Sequence, residues 1–206
     1  RALAQGREDA ILNGDTNGTH EDSDTTGATH RRKMLLGLRA LANDNSATAT
    51  LDLSTMSLDN ILDLRALMGV YGADPSQLVF IGGFKTTTAL MKIDALQTLD
   101  KIGPRAVVLA GQIGEVLGSP YIISEYVRQD LNASGVYEAS ATRSALYCVN
   151  KNAFAIGERS RPQAEFFREL YAASRQNAMI ATERFDFQPF QTFSSNIAAA
   201  VGINVG

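Results

Sequence analysis

Tryptophan is absent from this chain of 206 residues, cysteine occurs once, histidine twice and proline five times. Each scarcity excludes something. A single thiol, Cys148, cannot close an internal disulfide, so the fold must rest on a buried core, and a reducing compartment is the default expectation. The length suffices for one sizeable core or two small ones. Two histidines and one cysteine leave few soft ligands for a zinc site. No apolar run reaches the ~20 residues that a membrane-crossing helix needs, so no membrane partner is expected. Charge of one sign is missing as well. Nineteen Lys and Arg stand against 22 Asp and Glu, and the basic residues form no stripe of the kind nucleic-acid binders carry. Phosphate-cradling glycine motifs are also lacking. Gly111, Gly114 and Gly118 in "GQIGEVLG" have the wrong spacing for a nucleotide loop, and no helix is expected to follow.

What is present is a mixed pattern of helices and strands. Residues 1–12 enter in helical register, with Leu3, Gly6 and Ala10 repeating at three and four, and with no capping residue before them. This reads as the tail of a helix, and a fragment or processed product is expected. Residues 13–32 read as a loop rich in Gly, Asp, Thr and Ser. "RKMLLGLRALAND" predicts a helix with Met34, Leu35, Leu38 and Leu41 inward, and "SATATLDLS" a short strand. The clearest helix is "SLDNILDLRALMGVYGADP". Ser57 suits its N-cap, Asp59 suits the positive end of its dipole, and Leu58, Ile61, Leu62, Leu64, Met68 and Tyr71 trace a broad apolar face. Gly72 is placed to end it and Pro75 to prevent its resumption. "QLVFIG" predicts a strand buried on both faces, and "FKTTTALMKI" a helix with Leu90, Met91 and Ile93 inward. Short strands broken by Gly and Pro follow, then strands at Ala145–Val149 and Ala153–Ile156. "QAEFFRELYAASRQ" reads as helical, "NAMIATERFDFQPF" as a long half-exposed strand, and "NIAAAVGINVG" as a last strand. The fold class is therefore α+β or α/β.

The acidic stretch "ILNGDTNGTHEDSD", Ile11 to Asp24, invites a metal or catalytic reading. A calcium loop starting at Asp15 would need Gly at its sixth position and Glu at its twelfth; His20 and Thr26 stand there instead. His20 with Asp22 or Asp24 offers one imidazole and carboxylates, and His30 lies at no helical spacing from it. The plainer reading is a polar surface loop, because Asn13-Gly14-Asp15 and Asn17-Gly18 are turn formers. Ser119 lacks a nucleophile elbow, since Pro120 follows where a helix would begin. Cys148, in "ALYCVN", reads as a small buried hydrophobe. His30-Arg31-Arg32-Lys33 reads as a solvated basic face, with contact to an acidic partner as the minority reading. Nothing forms a catalytic constellation, so no enzyme, metal or cofactor is expected.

The order of four stretches resembles the major capsid proteins of tailed phages, the family with the Hong Kong-type capsid fold. "REDAILNGD" is similar to the end of that family's long spine helix, and "DNILDLRALMGVYGADPSQLVFIGGFKTTTALMKI" to the helix, strand and helix of its axial domain. "GEVLGSPYIIS" is similar to its Gly-x-Pro strand entry, and "NAFAIGERSR" with "NAMIATERFDFQP" to the long strands of its peripheral domain. The resemblance implies a peripheral domain in residues 1–50 and 151–193, an axial domain in 51–150, and a strand in 194–206 returning to the axial domain. It implies a structural subunit of an icosahedral shell, with copies of itself in pentamers and hexamers as partners and double-stranded DNA packaged non-specifically. Scaffolding, portal and decoration proteins are further partners such a shell uses. The virion is the implied location, with the bacterial host cytoplasm during assembly. Asp15, His20, Asp22, Gly114, Glu115, Arg159 and Arg161 are candidate inter-subunit contacts on this reading. Two rivals are kept: an encapsulin-type compartment with the same fold, and a small metal-dependent α/β hydrolase using Asp15, His20, Asp22 and Asp24.

Overall fold

A computed structural model describes residues 2–16, 22–25, 30–44, 49–97, 114–171, 176–191 and 197–206. Its centre is a six-stranded mixed sheet of order β1-β8-β5-β2-β4-β3. The strands are β1 (Thr50–Asp52), β2 (Leu78–Gly82), β3 (Glu115–Val116), β4 (Ser119–Ile123), β5 (Ser144–Asn150) and β8 (Ala199–Val205). β1 runs parallel to β8 and β2 to β4; the β5–β8, β2–β5 and β3–β4 pairs are antiparallel. The C-terminal β8 therefore sits inside the sheet, where small residues allow close packing. A side chain at Gly202 would collide with Leu53.

Alternation along the central strands builds two cores, one on each face of the sheet. Ala145, Tyr147 and Val149 of β5 face a core shared with α1 (Ala2–Asn13), α2 (Leu38–Asp44) and Phe187. Leu146 and Cys148 face the other, with Phe80 and Leu78 of β2, α3 (Leu58–Ala66) and α4 (Phe84–Met91). Ser57 caps α3 as expected, its hydroxyl accepting from the Asn60 N–H at 3.1 Å. Ile61 and Leu64 of that helix are buried, whereas Leu62 points to solvent. The helix stops earlier than Gly72. A 3-10 turn over Gly69–Gly72 follows it, and Gly69 takes the left-handed conformation that favours glycine. α5 (Asp94–Gln97) is a single turn.

Two expectations are corrected. The helix expected over "RKMLLGLRALAND" is broken into a 3-10 turn, Arg31–Lys33, and α2, and Met34 is exposed. The break lies where Gly37 meets the end of α1 backbone to backbone. The Gly37 N–H donates to the Gly14 carbonyl at 2.8 Å, and a side chain at Gly37 would run into the carbonyls of Ala10 and Ile11. The second correction is larger. The stretch expected to be helical past Pro162 is a strand. β6 (Phe154–Tyr171) pairs antiparallel with β7 (Gln176–Pro189), forming a separate two-stranded arm of 18 and 14 residues. Cross-strand pairing, absent from any local window, overrides the helix-forming Ala, Glu and Arg of that segment.

Candidate functional site

Three features could carry function: a buried charge cluster, the junction of the arm with the body, and an apolar cleft beside that junction. The cluster is assembled from segments far apart in sequence. Asp22 is buried and forms an ion pair with Arg39 of α2, and Arg128 reaches it at 3.1 Å from a loop 106 residues away. The Tyr137 N–H donates to the same carboxylate at 3.0 Å, and Arg39 also donates to the Gly135 carbonyl at 2.9 Å. Arg128 is shared further, with Asp24 at 2.9 Å and Asp130 at 2.7 Å, and its guanidinium lies over the Tyr137 ring, 4.4 Å from the centroid. Burial opposes the charge of Arg128, but hydrogen bonds to Asp130 and Asp24 and the charge of Asp22 outweigh it, raising its pKa. The hydrogen bond from Arg128 holds Asp130 below the ordinary carboxylate range. Asp24 is also lowered: burial pushes it up, and Arg128 and Arg32 overcome that.

The end of α1 joins this cluster. Asp9, fully buried, accepts from Arg31 at 2.6 Å and from Arg32 at 3.0 Å, and Asn13 donates to it at 2.9 Å. Asn13 also donates to the Tyr126 carbonyl at 2.7 Å. The basic patch expected to be a solvated face is thus tied in part to an acid of its own chain. His30 accepts from the Arg32 N–H and caps the 3-10 turn. Farther up α1, Arg7 pairs with Glu183 and with Glu158 at 2.9 Å, and lies 5.0 Å from the Phe185 ring centroid. Phe154 stacks on Phe187 at 4.9 Å, closing the base of the arm. Beside this junction an apolar cleft of about 620 Å3 opens. Leu3, Ala4 and Ile11 of α1 form one wall, Ile81 and Ile122 of the sheet another, and Pro162 and Glu183 of the arm a third.

The expected site residues divide accordingly. Asp15 and Asp22 are buried within the chain rather than solvated turn formers. Asp22 and Asp24 face guanidinium groups of Arg39, Arg128 and Arg32. Among the described residues no three His, Cys, Asp or Glu side chains are placed to hold a metal ion. Gly114, Glu115 and Arg159 are exposed; Arg161 lies in β6, and its side chain, like His20, is outside the described residues. Cys148 is fully buried, and burial pushes its thiol up to about 12. Sequence reasoning missed Asp9, Arg39, Arg128 and the Arg7–Glu183 pair. The only local signal was a buried-helix pattern around Arg39, whose neighbours Leu38, Ala40, Leu41 and Ala42 are all apolar.

No family model matches the chain. The major capsid protein of Escherichia phage T5 is 25% identical over 159 residues, covering 75% of this chain and 32% of that protein. The Cyanophage Pam1 capsid asymmetric unit superposes over the whole of this chain and 66% of its own, with a TM-score of 0.56 at 12% identity. The chain is similar in sequence to a phage major capsid protein and carries the Hong Kong-type fold of phage capsid subunits. The same fold occurs in the SrpI encapsulin of Synechococcus elongatus, with a TM-score of 0.53 at 11% identity over 98% of this chain and 62% of that one. The chain spans about a third of the length of the curated capsid relative it matches.

Proposed function

We propose that the protein is the major capsid subunit of a tailed phage or prophage, a structural component that self-assembles into an icosahedral shell around double-stranded DNA. The match to a phage major capsid protein over three quarters of the chain, on a model of the capsid fold, carries this reading. Residues 1–50 and 151–193 are assigned to a peripheral domain, 51–150 to an axial domain, and 194–206 to the strand that returns to it. The subunits form pentamers and hexamers, and the protein resides in the virion after assembly in the host cytoplasm. Its role is load-carrying rather than catalytic. Shells are built from modest contacts multiplied by symmetry, so exposed features matter more than a pocket of reactive groups. Gly114 and Glu115 at the start of β3 and Arg159 on the arm are exposed and suit contacts between copies. Asp15 and Asp22, buried within the chain, are not assigned such a contact.

The encapsulin-type reading shares the fold and differs in cargo. Full-length protein should form closed particles in electron micrographs. In infected or induced cells, the particles should hold nuclease-protected DNA. Particles filled with protein and free of nucleic acid would favour the compartment reading. A strictly monomeric full-length chain would refute both.

A further inference from the structure

The ladder of the arm is irregular in one stretch. Glu158 pairs with Phe185, Ser160 with Arg184 and Gln163 with Thr182, so five residue steps on β6 match three on β7. β6 therefore carries two bulges in succession, and a bulge leaves its extra residue outside the ladder and bends the strand. Pro162, which has no N–H to give a ladder, falls inside the second bulge. Below this stretch the ribbon pairs without interruption from Phe154–Pro189 to Glu158–Phe185. Above it, pairing is again continuous from Gln163–Thr182 to Phe167–Ala178. Two regular ladders are thus joined by a weak one.

The body grips the ribbon at that joint. Arg7 of α1 pairs with Glu158 at 2.9 Å and with Glu183, and its guanidinium lies 5.0 Å from the Phe185 ring centroid. Glu158 and Phe185 are the last regular pair below the bulges, and Glu183 stands opposite the second bulge. Arg7 is the one basic side chain among the described residues that line the apolar cleft, where Glu8 and Glu183 also stand. Without its charge, Glu158 and Glu183 lose the guanidinium they share and repel each other at short range. We propose that the bulged stretch of β6 is a hinge and that Arg7 is the clasp holding the upper arm over α1. Pro162 and Glu183 form the third wall of the cleft, so the closed clasp encloses about 620 Å3. Release of the clasp leaves a two-walled groove between α1 and the sheet. The arm is then a lid over Leu3, Ile11, Ile81 and Ile122. Arg7 and Glu158 are partly exposed, which keeps the clasp weak enough to open. The device lies within one chain and does not depend on the capsid reading.

Distances between paired spin labels on the full-length protein test this, with labelled chains diluted in unlabelled ones so that only distances within a chain are read. One label sits on the body at Val70→Cys. The other sits on the arm, above the bulges at Ala164→Cys or below them at Gln188→Cys. All three positions are exposed, and Cys148 is buried and takes no label. In the parent both distances should be single and narrow. Arg7→Gln should leave the distance to Gln188→Cys alone and shift or broaden the distance to Ala164→Cys. The population outside the parent peak should rise about fivefold. Glu158→Gln combined with Glu183→Gln should do the same, because it releases the clasp from the other side. An unchanged distance to Ala164→Cys in either variant would overturn the clasp. Equal shifts at both arm positions would overturn the hinge, because the arm would then turn at its base.

Discussion

β5 and β6 are both strands rich in aromatic and aliphatic residues, and they have opposite fates. All seven residues of β5 are buried, flanked by β2 and β8 and covered on both faces. Most of β6 whose side chains are described is exposed, and among the described residues β7 is its one partner strand. The same residue types thus serve two purposes. In the central sheet they give the chain its own stability. In the arm several of them remain exposed, Phe166 and Met179 most of all, and exposed apolar strands invite pairing with other chains. Among the described residues, the arm meets the body through the Phe154–Phe187 stack and the Arg7 ion pairs.

Substitutions sharpen this contrast. The largest effect is expected in the sheet. Phe80→Ala should cost about 3–5 kcal/mol in urea unfolding, since Phe80 is fully buried in β2. Asp22→Ala should cost a comparable amount, about 3–5 kcal/mol, by leaving Arg39 and Arg128 buried without their shared carboxylate. A loss under 1 kcal/mol would mean that the loop is not fixed by that cluster. Ser57→Ala should cost about 1 kcal/mol by removing the cap of α3. Phe166→Ala, in the arm, should stay within about 0.5 kcal/mol of the parent in the unassembled subunit. A large loss there would abolish the distinction between the two regions.

Acid should separate the regions too. Asp24 and Asp130 have folded-state pKa values below the ordinary 3.8. The stability they contribute is complete above 3.8 and is lost as pH falls through their lower folded values. The Arg128 cluster should therefore hold at pH 5 and come apart well below pH 3.8. A pH series of urea midpoints checks this, and Arg128→Leu should flatten the acid limb.

Much of the central sheet was legible locally. "QLVFIG" and "SALYCVN" are apolar runs bounded by turns, and Ser57 followed by an apolar stripe marks the start of α3. The arm was half legible. "NAMIATERFDFQP" alternates as a strand, but "QAEFFRELY" has residues that suit a helix equally well, and only its partner decided the matter. The charge cluster was illegible for a different reason. Asp22 sits among turn formers, where acids are ordinarily solvated, and nothing near it announces Arg128.

By itself the sequence determined which segments could be buried, where α3 begins, that Cys148 is a core residue, and the order of motifs that resembles the capsid family. Those are properties of composition, period and caps within a few residues. Tertiary structure decided that residues 163–171 are strand rather than helix, that β8 enters the middle of the sheet, and that Asp22 and Asp9 are buried acids with arginine partners. Each of these depends on a contact between segments distant along the chain, and strand register and buried charge are settled only when both partners are in place.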